Sequence, residues 1–234
     1  MSANEYVLAT GLRETRATFE RWNRDPWPTL RGWCLLSLAI ACALLVAVWA
    51  VATLSSPDLT PFYIPGLEGE AGIDNIAGVL FRNSLVLALH ATACVAGFMA
   101  GASMPIAAAQ RTGLSRWVHV KAGQFAILFV GAVTIFSLST QAYVLGFQGA
   151  TIAFQLGISP AELVFSVVPH ALPELVALFL PLAAWLIASR RGEWNQLLAA
   201  TFVTTLIAIP VLVVSALVEV YLWPEILRSF TPLA

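Results

Sequence analysis

GWCLLSLAIACALLVAVWAVATL, residues 32 to 54, is a run of twenty-three residues without a single charge. As an α-helix rising about 1.5 Å per residue it reaches roughly 34 Å, enough to cross a hydrocarbon core of about 30 Å. The run is longer than the ~7–15 apolar residues of a secretory leader and starts far from Met1, so Ala50-Val51-Ala52 reads as helix interior rather than as a cleavage site. Four more apolar runs follow, over about Ser84 to Ala109, Gly123 to Leu145, Leu172 to Ser189 and Gln196 to Leu222. The fold class is therefore all-α, a polytopic membrane helix bundle with five transmembrane helices. Residues 32–234 form the integral membrane domain, and residues 1–31 a cytoplasmic amphipathic segment.

Composition points the same way. Of 234 residues, 59% are hydrophobic and 11% charged, against about 45–50% and about 25% in soluble domains. Twelve basic and thirteen acidic side chains are too few to cover a soluble globule of this length, so the lipid bilayer is the first partner. A net charge of −1 argues against nucleic acid as a partner, since neutralising phosphates takes a basic excess. Cys34, Cys42 and Cys94 lie in apolar runs without C-x-x-C spacing and read as small packing residues.

Orientation follows from the cations. Arg13, Arg16, Arg21, Arg24 and Arg31 precede the first span. Arg111, Arg116 and Lys121 separate the second from the third, and Arg190 and Arg191 the fourth from the fifth. By the positive-inside tendency these segments are cytoplasmic. The loop from Ser55 to Ala77, with Asp58, Glu68, Glu70 and Asp74 and no Lys or Arg, faces outward, and its Pro57–Gly72 part is the one plausible flexible stretch. The N-terminus is then inside and the C-terminus outside. Leu8, Leu12, Phe19 and Trp22 form one stripe of an N-terminal helix, with Trp27 and Trp33 at headgroup depth. This fits an interfacial helix on the inner leaflet, the alternative being a helix docked on a cytoplasmic partner or a second copy.

Between the third and fourth runs, Gly146 to His170 is apolar but interrupted by Gly149, Gly157, Pro160 and Pro169. The expectation is two short broken or re-entrant helical pieces, the second starting at a capping box, Ser159-Pro160-Ala161-Glu162, and ending at Pro169.

An ionisable side chain at membrane depth costs about 2.5–3.5 kcal/mol on insertion scales and so needs a partner or a purpose. Arg82 and Asn83 open the second span, His170 and Glu174 the fourth, and Glu219 lies near the end of the fifth. With the orientation above, all five sit toward the outer half of the bilayer, where they can meet as a polar cluster, while His90 lies deeper. In Pro169-His170-Ala171-Leu172-Pro173-Glu174, a Pro173 in the first turn of the fourth helix would put Glu174 among free backbone N–H groups. That arrangement serves either as a proton-responsive or substrate-contacting pair or as a cap on a broken helix. Arg82 would neutralise Glu174 or Glu219, or snorkel to the headgroups. No metal site, H-E-x-x-H, Walker loop or G-x-S-x-G is present, so no cofactor and no catalytic residue is assigned. Gly97 and Gly101 give a small-xxx-small packing face, which serves contact within the chain or a homodimer. Tyr221, Trp223 and Pro224 read as outer aromatic belt and helix stop.

Several of these residues together resemble the stage II sporulation protein M family of bacterial integral membrane proteins. Its Pro-His-Gly-x-x-Glu motif is matched by Pro169, His170 and Glu174, with Ala171 in the Gly place. The Asn that begins the second span is matched by Asn83, and the small residues that follow it by Gly97 and Gly101. Its Asn-Gly-x-x-x-Gly element appears as Gln141-Ala142 with Gly146, and the late Glu before a Pro as Glu219 and Pro224. The resemblance covers about Asn83 to Pro224. It implies a non-enzymatic protein of the bacterial cytoplasmic membrane, a scaffold that recruits peptidoglycan-remodelling or other envelope proteins. Relatives associated with bacteriocin clusters suggest export or immunity components. From the residues themselves, the alternative to a scaffold is a transport or permease subunit. A water-accessible cavity reaching Glu174 would favour transport, and a dry closed cluster scaffolding.

Overall fold

The computed structural model describes residues 3–58, 64, 67 and 69–231 of the chain, with side chains from residue 11 onward. The stretch Pro57–Gly72 and the Leu8 side chain therefore lie partly or wholly outside the described residues. The elements are α1 (Ala3–Arg24), α2 (Trp27–Leu54), α3 (Ile73–Phe98), a π-turn (Met99–Ser103), α4 (Met104–Ala107), a 3-10 turn (Ala108–Gln110), α5 (Gly113–Leu156), α6 (Pro160–Arg191), a 3-10 turn (Trp194–Gln196), α7 (Leu197–Leu217), a second π-turn (Val218–Leu222) and α8 (Trp223–Phe230). Five continuous helical runs are long and apolar enough to cross a membrane: Trp27–Leu54, Ile73–Gln110, Gly113–Leu156, Pro160–Arg191 and Trp194–Phe230. The chain is an all-α, multi-pass membrane protein.

The helices outrun the apolar stretches that announced them. Gly146–His170 does contain two helical pieces, but each is the continuation of a span. Gly146–Leu156 completes α5, and Pro160–His170 opens α6. The break between them is a Schellman turn at Gly157, whose φ of +67 suits glycine. Gly157 N–H donates to Phe154 O (3.2 Å) and Ile158 N–H to Ala153 O (3.0 Å). The capping box closes as its spacing predicts: Glu162 N–H donates to Ser159 Oγ at 3.2 Å, and Ser159 N–H to Glu162 Oε2 at 2.7 Å. Pro169 does not end the piece. α6 runs through Pro169, Pro173 and Pro181 to Arg191, because a helix abandoned inside lipid leaves several unpaired backbone groups where a proline frees one carbonyl.

Pro224 is likewise no stop. It stands in the first turn of α8, directly after the π-turn Val218–Leu222, and the helix continues to Phe230. The same sequence of events occurs at Met99–Ser103, where a π-turn precedes Pro105 at the start of α4. Widening the turn before a residue that lacks an N–H relieves the clash of its ring with the preceding carbonyl.

The chain divides into two compact units. The first comprises residues 1–37, 86–133 and 178–208, the second 38–85, 134–177 and 209–234. In the first, Cys94, Phe98, Trp185, Ala188 and Leu197 form one core cluster, and Trp33, Leu180, Ala184 and Ala200 another. α1 docks here on its own chain. Gly11 faces Leu198 and Phe98, Thr18 is fully buried, Phe19 meets Phe202 at 5.9 Å between ring centroids and Trp22 meets Trp33 at 5.1 Å. Leu12, expected on the membrane-facing stripe, is exposed on the other side. The docking face thus combines Phe19 and Trp22 of the expected stripe with the buried Gly11 and Thr18, small residues that a hydrophobicity reading passes over. In the second unit, Ile64, Ala153, Ile158, Leu163 and Leu227 form one core, and Val79, Ala216 and Val220 another.

Candidate functional site: a cavity between membrane helices

The second unit brings the five sequence-predicted polar residues into one neighbourhood. His170 and Glu174 stand one turn apart on the same face of α6, the i, i+4 relation. Glu174 therefore lies about four turns into α6 and not at its first turn, so the helix-terminus role expected for it is replaced by an interior one. Glu219 sits in the π-turn Val218–Leu222, a widened turn of the kind that recurs at functional sites. Asn83 and Arg82 come from α3. Asn83 is buried and faces the Glu174 carboxylate. Arg82 is exposed and exerts its charge on both Glu174 and Glu219. Among the described residues the ion pairs within 4 Å are Arg16–Glu20 and Arg228–Glu225, so Arg82 acts on the two carboxylates across a distance and makes no contact pair with either.

These groups are under-satisfied. Asn83 Nδ2, His170 Nδ1 and Glu174 Oε2 are buried without a hydrogen-bond partner, and an unpaired buried polar atom costs about 1–3 kcal/mol. His170 is only 7% exposed and Asn83 only 9%. His170 borders a cavity of about 270 Å³ whose wall also includes Glu174, Glu219, Gln148 and Trp223, completed by apolar side chains of α2, α5 and α6 such as Leu44, Val48 and Ile152. The Trp223 ring lies 5.6 Å from the His170 ring, tilted at 60°. Its indole N–H donates to Ser166 Oγ (3.1 Å), whose hydroxyl donates to Leu163 O (2.7 Å). Trp223 was expected in an aromatic belt. It is instead a positioned wall of the cavity, with its N–H satisfied as a partly buried tryptophan requires. Gln148 and Ser166 carried no signal in the sequence beyond being polar in apolar helices.

The remaining residues of interest take structural places. A Cβ on Gly97 would stand 2.5 Å from Trp185 Nε1, one on Gly101 2.0 Å from Trp194 Cδ2, and one on Gly146 2.5 Å from Val51 Cβ. All three are close-approach points within the chain. His90 Nδ1–H donates to Leu178 O at 2.7 Å and its ring lies 5.7 Å from Phe179, a tertiary tie in the first unit. Gln141 Nε2 donates to Ser137 Oγ at 3.0 Å along α5. Among the described residues no three His, Cys, Asp or Glu side chains converge as metal ligands would.

Fold and site together define a multi-pass α-helical membrane protein with a largely apolar cavity between its helices, into whose wall His170, Glu174 and Glu219 are set. Compared with models of known protein families, with curated proteins and with solved structures, the chain matches none.

Proposed function

We propose that this protein acts without catalysis in the bacterial cytoplasmic membrane as a transport-type subunit, a permease or an export-immunity component, that receives a small solute in the cavity beside Glu174. The observation that carries the reading is that cavity: two carboxylates, an imidazole and an amide side chain border about 270 Å³ of space between helices, where a purely structural cluster would be filled and satisfied. Buried acids beside interrupted or widened helix turns are the usual furniture of transport sites. The resemblance to the stage II sporulation protein M family supports the bacterial membrane setting. Ten of the twelve Lys and Arg residues fall in the first unit, which supports an orientation with the N-terminus in the cytoplasm and the C-terminus outside.

Water access to the cavity is the test. In a background free of Cys34, Cys42 and Cys94, Gln148→Cys should react with a membrane-impermeant thiol reagent, while Ala153→Cys, whose position is fully enclosed in the core, should not. A Gln148→Cys protein inert from both faces would overturn the reading. Glu174→Gln should abolish the cellular activity at unchanged abundance.

A second reading, recruitment of envelope partners, is favoured by one observation. Only 6% of the apolar window of α5 is buried within the chain, and Ser139 and Thr140 are exposed on it. Hydroxyls on an uncovered membrane helix suit contact with another helix, from a second copy or an envelope protein. Crosslinking from a photoreactive residue at position 140 in native membranes, yielding a discrete protein adduct, is the expected outcome of that reading.

A further inference from the structure

We infer that the cavity takes a small organic monocation, a protonated amine or quaternary ammonium carrying a short apolar body. This rests on the cavity being a solute site and names the chemistry it selects. The charges around it do not balance: Glu174 and Glu219 both line the wall, and among the described residues Arg82 is the one cation acting on both and touches neither within 4 Å. Two carboxylates against one guanidinium leave room for one further positive charge, and in a low-dielectric site an uncompensated carboxylate is costly.

A second observation points independently to a ligand. His170 is more than nine-tenths buried, lines the cavity, and keeps Nδ1 without a partner, so an N–H donor entering the cavity finds an acceptor in the matching tautomer. Beside it the Trp223 ring supplies an aromatic wall, and aromatic faces attract ammonium groups by about 0.5–2 kcal/mol. Leu44, Val48 and Ile152 offer apolar surface to the body of the guest. The donor set excludes the other candidates. A hard inorganic cation needs six or more oxygens to replace its water, and these walls are largely hydrocarbon. An anion meets two carboxylates. Size sets the upper limit, because 270 Å³ is the volume of roughly nine waters.

The test uses the full chain in lipid nanodiscs, with butylammonium as probe and 1-butanol and sodium as its neutral and inorganic counterparts, read by thermal unfolding and by calorimetric titration. Butylammonium should raise the melting temperature saturably. Glu174→Gln and Glu219→Gln should each weaken that binding at least tenfold. Ala171→Leu, which fills the cavity and keeps both acids, should abolish it; this variant guards against loss of the carboxylates simply unfolding the protein. If 1-butanol binds as tightly as butylammonium and Glu174→Gln changes neither, the cavity is a solute site without cation selectivity and this inference falls alone. An equal shift with sodium, or a stability that follows pH with no dependence on any probe, likewise overturns it. If no probe binds and Gln148→Cys stays unlabelled, the solute-site reading falls with it.

Discussion

At the scale of single residues, the membrane interior turns small differences in volume and pairing into large consequences. Gly146 is the sharpest case, since a methyl there would meet Val51 Cβ at 2.5 Å and the Val48 carbonyl oxygen at 2.9 Å. Gly146→Ala should lower stability by about 1–3 kcal/mol, read as a lower melting temperature in detergent. Gly131→Ala, with nothing within 4 Å of the added carbon, should leave it unchanged or slightly raised. Arg82 gives a second prediction. Because its charge reaches both carboxylates, Arg82→Gln should reduce the folded yield in membranes, and Glu219→Gln in the same chain should restore it. A failure of that rescue would mean that Arg82 serves only the headgroups. The convergence of Arg82, Asn83, His170, Glu174 and Glu219 was legible from depth alone, since charged groups on one side of a bilayer have few other places to go. Trp223 and Ser166 were not legible, because a tryptophan near a span end reads equally as belt or wall until its N–H partner is known.

At the scale of helices, apolar run length counted the spans correctly but placed their ends too early. Polar and proline residues look like stops when water is the alternative partner. Inside a bilayer the backbone has no such alternative, and α6 passes three prolines. Pro169→Ala should therefore be neutral or stabilising, as restoring one N–H within a continuous helix costs nothing; a helix that ended at Pro169 would lose its boundary and unfold more readily. Where the signal was positive chemistry rather than a breaker, it held. The Ser159–Glu162 box starts α6 as its spacing predicts, and Ser159→Ala should cost about 0.5–2 kcal/mol, with faster amide exchange at Glu162 and Leu163. α1 shows the opposite limit. A stripe chosen for large apolar residues found Phe19 and Trp22 of the docking face but included the exposed Leu12 and passed over Gly11 and Thr18, which let helices approach.

At the scale of the whole molecule, the distribution of cations predicts topology. A phosphatase inserted at Gly69 should be active outside the cytoplasm, and one inserted at Gly192, beside Arg190 and Arg191, inactive; the reverse pattern would invert the orientation. The same scale exposes a mismatch in α5. Its 44 residues measure roughly 66 Å, and large apolar side chains from Phe125 to Phe154 stay exposed along it. That oily length is about one and a half times a hydrocarbon core of about 30 Å, more than the usual tilt of up to about 40° absorbs. Lipid next to this helix has to stretch, or the helix has to lean far over. The protein thus imposes a local thickness on its surroundings, and its abundance should depend on acyl-chain length, rising in thicker bilayers and falling in thin ones.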